Sequence, residues 1–333
     1  MAVLKKRVSL SINDLENMLG TSKLPALAKE SEVAFFSHVD RIAGLISERP
    51  SVRAVFISGP TASGKTTFSN RLVSSLEKTG KKAFCFSLDD YYWIDKVEFD
   101  EDGRPDYESI STLNLQLLTK QMKQLLDGEA VYLSKFSFGH VSRSVVAEDA
   151  VSLADDTILI VEGLHGLAHE ISGILPKDIK VGIFIMPWGE IVADQRLIGS
   201  RDIRLLRRLV RDARHRGSSV LSTIDYWPMV EKSEQICFSD YLDSADYYVN
   251  SMLSYESMIT APLALVEIEK DLAAFREKKM LPSPFIQPYH DTKILADEEQ
   301  ALQYAERLMK YLRQIPGADM SIVPDYSILN EFL

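Results

Sequence analysis

Cysteine is nearly missing: Cys85 and Cys237 stand far apart in 333 residues, and neither belongs to a C-x-x-C pair, which excludes a disulfide framework and a cysteine-built zinc site. Long apolar runs are missing too. No window approaches the roughly 20 apolar residues that span a bilayer, and residues 1–14 carry Lys5, Lys6 and Arg7 with no apolar stretch behind them. Neither a membrane span nor a secretory leader is expected, and a reducing, cytoplasmic setting fits. Positive charge is in deficit: 38 Lys and Arg face 48 Asp and Glu, for a net charge of −10. Non-specific nucleic-acid binding draws on phosphate neutralisation by Lys and Arg, so this surface argues against it. Any anion site has to be local. No internal repeat or low-complexity segment is present, and the sequence sets no oligomeric state, although a homo-oligomer is compatible with it.

What is there is enough apolar material, 46% of residues, to fill a substantial core. Residues 1–50 read as a helical N-terminal extension, with Val33, Phe36, Val39, Ile42, Ala43 and Ile46 at helical spacing. From Arg53 the pattern changes to short apolar runs, 54–58, 83–88, 157–161, 181–186 and 247–249, separated by amphipathic stretches such as 67–76 and 113–126. Such runs indicate parallel strands buried on both faces, so residues 51–260 are expected to form a doubly wound, mainly parallel α/β core. Residues 261–333 read as a helical C-terminal extension: Pro282, Pro284 and Pro288 break the chain, a last helix lies near 297–313, and an irregular tail follows.

The strongest signal is Gly59-Pro60-Thr61-Ala62-Ser63-Gly64-Lys65-Thr66, a complete G-x-x-x-x-G-K-[ST] between a strand and a helix. Its fixed positions coincide by chance in on the order of one per cent of chains this long. The glycines let backbone N–H groups fold around phosphates, the following helix adds its positive end, Lys65 is a point charge for β- and γ-phosphates, and Thr66 offers a hydroxyl to Mg²⁺. ATP and Mg²⁺ are thus the expected ligands, with Gly59, Thr61, Ala62, Ser63, Gly64, Lys65, Thr66 and Thr67 at the nucleotide.

The next strand ends in Asp89-Asp90, at the strand edge where ligands sit in open α/β sheets; a carboxylate there can take the proton of an attacking hydroxyl, or merely cap the next segment. The strand 157–161 runs into Glu162-Gly163, an acid placed to face Mg²⁺. A segment near 196–217 carries Arg201, Arg204, Arg207, Arg208, Arg211, Arg214 and Arg216. On a helix, Arg204, Arg208 and Arg211 share one stripe opposite Leu205, Leu206, Leu209 and Ala213. That concentration suggests a lid closing over ATP phosphates; the plain alternative is a solvated face paired with Asp202 and Asp212.

With these pieces in order, the chain resembles the uridine kinase and phosphoribulokinase family, and within it the longer bacterial uridine-kinase-like branch, from about residue 52 to the C-terminus. The motifs are the P-loop, residues 87–92, Pro105-Asp106-Tyr107-Glu108, Glu162-Gly163-Leu164-His165-Gly166-Leu167, and Arg207-Arg208-Leu209-Val210-Arg211-Asp212 leading to Arg216-Gly217. Asn250-Ser251, Tyr255-Glu256, Ser327-Ile328-Leu329 and Glu331-Phe332 also look like that branch. The resemblance implies phosphoryl transfer from ATP to a small hydroxylated acceptor, most simply the 5′-hydroxyl of a nucleoside. Asp89 would be the general base, aided by Lys65, Arg208 and Arg211. Thr66, Asp89 and Glu162 would form the magnesium environment, and Arg216 would join the nucleotide site. Asp89, Tyr92, Asp106, Phe136, Arg143 and His165 would meet the acceptor.

The departures concern the acceptor. Where compact uridine kinases have Tyr-Asp-Phe followed by His and Arg, this chain reads Phe136-Ser137-Phe138 and then Val141-Ser142-Arg143, removing groups that would hydrogen-bond a pyrimidine. The arginine usual after Arg216-Gly217 is Ser218, and residues 1–50 are too short for the extra N-terminal domain of longer relatives. A kinase of a sugar, sugar phosphate or pantothenate-like acid is therefore a second reading. A nucleotide-dependent switch is a third, resting on a D-x-x-G at residues 100–103 that follows no strand and lacks an Asn-Lys-x-Asp partner.

Overall fold

The computed structural model describes residues 7–93, 97–137, 142–145, 149–286 and 293–333. Val8–Ser11 forms β1, and Ser11 then caps helix α1 (Ile12–Met18) in a reciprocal box with Asp14. Helix α2 (Lys23–Ser47) turns Phe35, Phe36, Val39, Ile42 and Ile46 inward, whereas Val33, expected in that stripe, is exposed. Residues 1–50 are therefore not wholly helical: the alternating Val8-Ser9-Leu10-Ser11 makes a strand with a distant partner.

The core begins with β2 (Ala54–Ser58), α3 (Lys65–Lys78), β3 (Lys82–Ser87) and a 3₁₀ turn, Leu88–Tyr91. Asn114 caps α4 (Leu115–Leu126) by accepting from the Leu117 N–H. The antiparallel pair β4 (Ser134–Ser137) and β5 (Ser142–Val145) follows, then β6 (Thr157–Glu162), α5 (His169–Ser172) and β7 (Lys180–Met186). After the hairpin β8 (Gly189–Val192) and β9 (Arg196–Gly199) come α6 (Ser200–His215), α7 (Val220–Ser244), β10 (Tyr247–Asn250), α8 (Glu256–Arg276) and α9 (Glu298–Leu312). A 3₁₀ turn at Ile328–Glu331 closes the chain, and α8 crosses residues 260–261 without a break.

Five strands pair in the order β10-β7-β2-β6-β3, all parallel. Successive side chains alternate between two cores: Val55, Ile57, Ile158 and Ile160 join the one that includes α2 and α3, while Phe56, Leu159, Val161 and Phe184 join the one that includes α4 and α5. Apolar burial on both faces is why these strands read as continuous apolar runs, and this is the doubly wound α/β arrangement. A second sheet, β1-β8-β9, pairs β1 with β8 in parallel and β8 with β9 antiparallel. No helix among the described residues is long and apolar enough to cross a membrane.

Candidate active site

The parallel register decides what meets at the carboxyl edge of the sheet. Glu162, last residue of β6, stands opposite Ile57 of β2 on one side and Ser87 of β3 on the other. The loop 59–64 that follows β2 and the turn that follows β3 therefore flank one carboxylate. Their approach is close enough to demand glycine: a Cβ on Gly163 would come within 2.7 Å of Leu88, and one on Gly59 within 2.1 Å of the Ile185 carbonyl.

The loop has the shape of an anion cradle. Ala62, at φ 56°, and Gly64, at φ 86°, take left-handed conformations, a strained feature at Ala62, and Gly64 leads directly into α3. Lys65 folds across the loop, its Nζ donating to the Pro60 carbonyl at 3.0 Å, and Thr66 is exposed on the first helical turn. Thr67 donates from its N–H (3.2 Å) and its Oγ1 (2.9 Å) to one carboxylate oxygen of Glu331 in the C-terminal turn.

Two carboxylates face this cradle. Glu162 is buried and accepts from the Ser87 hydroxyl at 2.8 Å. Burial and the neighbouring Asp89 push its carboxyl up to about 7, although Lys65 and Ser87 pull the other way. Asp89, on the turn after β3, is open to solvent yet ringed by protein. That enclosure raises its carboxyl, Glu108 and Asp90 add to the effect, and Lys65 and Arg216 oppose it. Tyr91 anchors the turn by stacking on Phe86 (ring centroids 5.0 Å apart) and donating to Gln121 at 2.5 Å. Among the described residues no group of three or more His, Cys, Asp or Glu side chains forms a metal cage. Magnesium needs none, because it keeps most of its waters and is held through one or two carboxylates plus substrate phosphates. Two carboxylates near enough that Asp89 raises the Glu162 carboxyl, with the exposed Thr66 hydroxyl on the first turn of α3, fit that pattern.

The arginine segment differs from its expectation. It begins as strand β9, and α6 is buried around most of its circumference, with no raised, solvated face. Arg204 makes a two-pronged pair with Glu234 of α7 (2.5 and 2.6 Å) and reaches the Thr61 carbonyl at 3.5 Å. Arg207, wholly buried, binds Glu256 (2.5 Å) and the carbonyls of Ser251 (2.7 Å) and Ala62 (3.3 Å). Arg208 contacts Asp212 and Glu108 at 3.3 Å and the Thr61 hydroxyl at 3.5 Å. Arg211 and the exposed Arg216 join Asp212, at 2.9 and 3.7 Å. Burial pushes Asp212 up, but Arg211, Arg208 and Arg216 more than offset it and hold it below the usual carboxylate range. This helix braces the phosphate loop directly.

On the acceptor side, Asp106 accepts from the Ser233 hydroxyl (2.8 Å) and the Glu108 N–H (3.1 Å) and stays half-buried at the rim. Tyr92 lies beside Asp89 and Glu108; burial and these carboxylates keep its phenol protonated. His165 is placed differently from its expectation as an acceptor contact: it is buried, with Nδ1 2.6 Å from the Tyr241 hydroxyl and Nε2 2.8 Å from the Glu108 carbonyl. Both nitrogens serve the protein, so His165 props the Glu108 segment. The side chains of Phe136 and Arg143 lie outside what the structure describes.

Three residues at the site stood in motifs of the sequence but were given no individual role there: Glu108 ends one such motif, Arg207 shares a helix face with Arg204, Arg208 and Arg211 by i, i+3, i+4, i+7 spacing, and Glu331 stands in the C-terminal Glu331-Phe332. The D-x-x-G at residues 100–103 is a turn held by Arg104, whose guanidinium bonds Asp102 (2.6 Å), Asp225 (3.1 Å) and Asp100 (3.4 Å). That gives the segment a structural role.

The sequence model of the Phosphoribulokinase / Uridine kinase family matches residues 54–256. A uridine kinase of Staphylococcus haemolyticus (strain JCSC1435) is 28% identical over 178 residues, 53% of this chain and 76% of the relative. A uridine kinase of Staphylococcus aureus (strain JH9) is 28% identical over 173 residues, 51% and 73% of the two chains. A Bacillus stearothermophilus structure described as a possible uridine kinase aligns with a TM-score of 0.43 at 15% identity, over 64% of this chain and 97% of the other.

Proposed function

Because the chain belongs to the phosphoribulokinase / uridine kinase family of small-molecule kinases, we propose that it transfers the γ-phosphoryl of ATP to a hydroxyl of a nucleoside, in the first instance the 5′-hydroxyl. One observation carries the reading: the strand register that gathers the 59–64 cradle, Glu162 and the Asp89 turn at one edge of the sheet.

In this reading the cradle N–H groups, Lys65 and the positive end of α3 hold the triphosphate. Asp89 accepts the proton of the acceptor hydroxyl as it attacks the γ-phosphorus; its raised pKa and open position suit a base that must let the proton go again. Asp106 and Tyr92 orient the acceptor by hydrogen bonds. Arg208, Arg211 and Arg216 would neutralise the charge that spreads over the transferring oxygens. Thr66, Asp89 and Glu162 would hold Mg²⁺, which supplies charge neutralisation at the phosphates when bound.

A second reading keeps the chemistry and changes the acceptor to a sugar, sugar phosphate or pantothenate-like acid. It is favoured by Phe136-Ser137-Phe138, which lacks the polar side chains that would read a pyrimidine. ATP consumption by purified protein, screened against nucleosides, sugars, polyols and pantothenate, separates the two. Turnover confined to nucleosides supports the first reading, and turnover only with another class replaces it. No turnover with any acceptor removes both.

A further inference from the structure

A cleft of about 510 Å³, which shares no lining residue with the phosphate cradle, lies between the chain entering β1, the β8–β9 hairpin, the first turn of α6 and α9. Its walls carry Arg7, Arg196, Arg201 and Arg307, four guanidiniums in a chain whose net charge is −10. Arg7 and Arg201 each pair with one glutamate, Glu190 and Glu231, yet keep 46% and 44% of their side-chain surface exposed. Arg196 and Arg307 are exposed and make no ion pair among the described residues. The one acid in the lining, Asp202, is committed elsewhere: one oxygen accepts from the Gly199 N–H and the other from the Tyr304 hydroxyl, both at 2.9 Å. Tyr304 is clamped between Arg201 and Arg307, whose guanidiniums sit 5.3 and 4.5 Å from its ring centre and so are held facing the cleft. The positive end of α6 adds to the same field. Trp188 and Tyr311, both half-buried, supply flat apolar surface beside the charges.

Four arginine forks, two of them without an acid partner among the described residues, suit phosphate groups, and flanking rings suit a planar base. We infer that this cleft is a second anion site, separate from the ATP cradle, that takes a polyphosphate-bearing metabolite of the nucleotide class. Arg201 stands one helical turn before Arg204 and two before Arg208, roughly 5 and 10 Å along the axis, so the cleft lies on the first turn of the helix whose middle braces Thr61.

The test is calorimetric titration of the full chain with inorganic tripolyphosphate and, separately, with UTP, in three proteins: wild type, Lys65→Ala, and the double variant Arg196→Gln/Arg307→Gln. Both arginines are exposed, so the double variant should melt as wild type does. Wild type should bind at two sites, Lys65→Ala should retain the cleft site, and the double variant should lose it by tenfold or more while keeping the cradle. Trp188→Phe should abolish the fluorescence change that accompanies cleft binding. UTP tighter than tripolyphosphate at the cleft identifies the ring as part of the ligand; equal affinities restrict recognition to the phosphates and overturn the nucleotide part of the inference. Identical isotherms for wild type and the double variant overturn the inference. Binding is read without turnover, so the outcome does not hang on the kinase reading.

Discussion

Thr67 gives two hydrogen bonds, from its backbone N–H and its hydroxyl, to a single oxygen of Glu331. The chain's last turn is thereby seated on the first turn of the helix that follows the phosphate loop. Ile328 presses on Gly64 closely enough that a Cβ there would lie 2.3 Å from it, and Arg207 stacks over Phe332. A carboxylate at this helix end completes an orphan donor and suits the dipole.

That same carboxylate adds negative charge where a nucleotide's phosphates must come. Glu331→Gln should therefore lower the KM for ATP roughly three- to tenfold, about 1 kcal/mol of repulsion removed at a partly solvated site. Turnover should change little, and the melting temperature should fall slightly as the helix loses its anion. Initial rates across ATP concentrations check this; a higher KM would mean that Glu331 assists nucleotide binding.

Glu162 makes a pH prediction with a definite sign. Its carboxyl is raised in the folded protein, from an ordinary 4.5 to about 7, by burial and by Asp89. A raised acid contributes stability that is complete below the unfolded pKa and lost as pH climbs through the folded one. In EDTA, wild type should lose on the order of a few kcal/mol between about pH 5 and about pH 8 relative to Glu162→Gln. Added Mg²⁺ should shrink the difference by favouring the carboxylate. Paired melts with and without metal measure both effects, and parallel curves in EDTA would contradict the assignment.

The base is tested by neighbouring acids. Asp89→Asn keeps size and removes charge, so acceptor phosphorylation should fall by the ~10²–10⁴ typical of general-base loss, with a much smaller change in ATP affinity. Asp90→Asn, half-buried one residue further along the turn, should tolerate the change better. A crippled Asp90→Asn beside an active Asp89→Asn would reverse the assignment.

The doubly wound sheet and the cradle were legible because their causes are local. Strands buried on both faces are apolar without interruption, and the cradle's glycines sit where a side chain would collide with Ile185 or Ile328. The arginine helix was legible only as a helix. What decides its role is Glu234 on α7 and Glu256 on α8, acids that turn a cationic face into an interior, and helical spacing on α6 says nothing of them. Strand β1 pairs with residues 189–192, and Glu331 meets Thr67 across 264 residues; four-residue and single-residue contacts of that range leave no periodicity to read. His165 shows the converse: its motif was visible, but only packing reveals that both nitrogens are spoken for.

Arg207 and Arg211 separate the structural task of the arginine-rich helix from the catalytic one proposed for it. Arg207 and Glu256 are both wholly inaccessible, and the pair also holds the Ala62 carbonyl of the phosphate loop. Removing one member of such a pair leaves an uncompensated buried charge, so Arg207→Ala should cost about 3–5 kcal/mol. Adding Glu256→Gln should restore part of that loss, because the stranded carboxylate goes with it. Arg211 is only partly buried and shares Asp212 with two other arginines, so Arg211→Ala should cost less than about 1 kcal/mol. Its effect should fall on phosphoryl transfer, at constant melting temperature. Denaturant unfolding of the three variants, with turnover measured on the same preparations, tests the division. If Arg211→Ala leaves turnover untouched, its guanidinium serves Asp212 alone; if Glu256→Gln fails to rescue Arg207→Ala, the damage comes from the lost grip on Ala62 rather than from the buried charge.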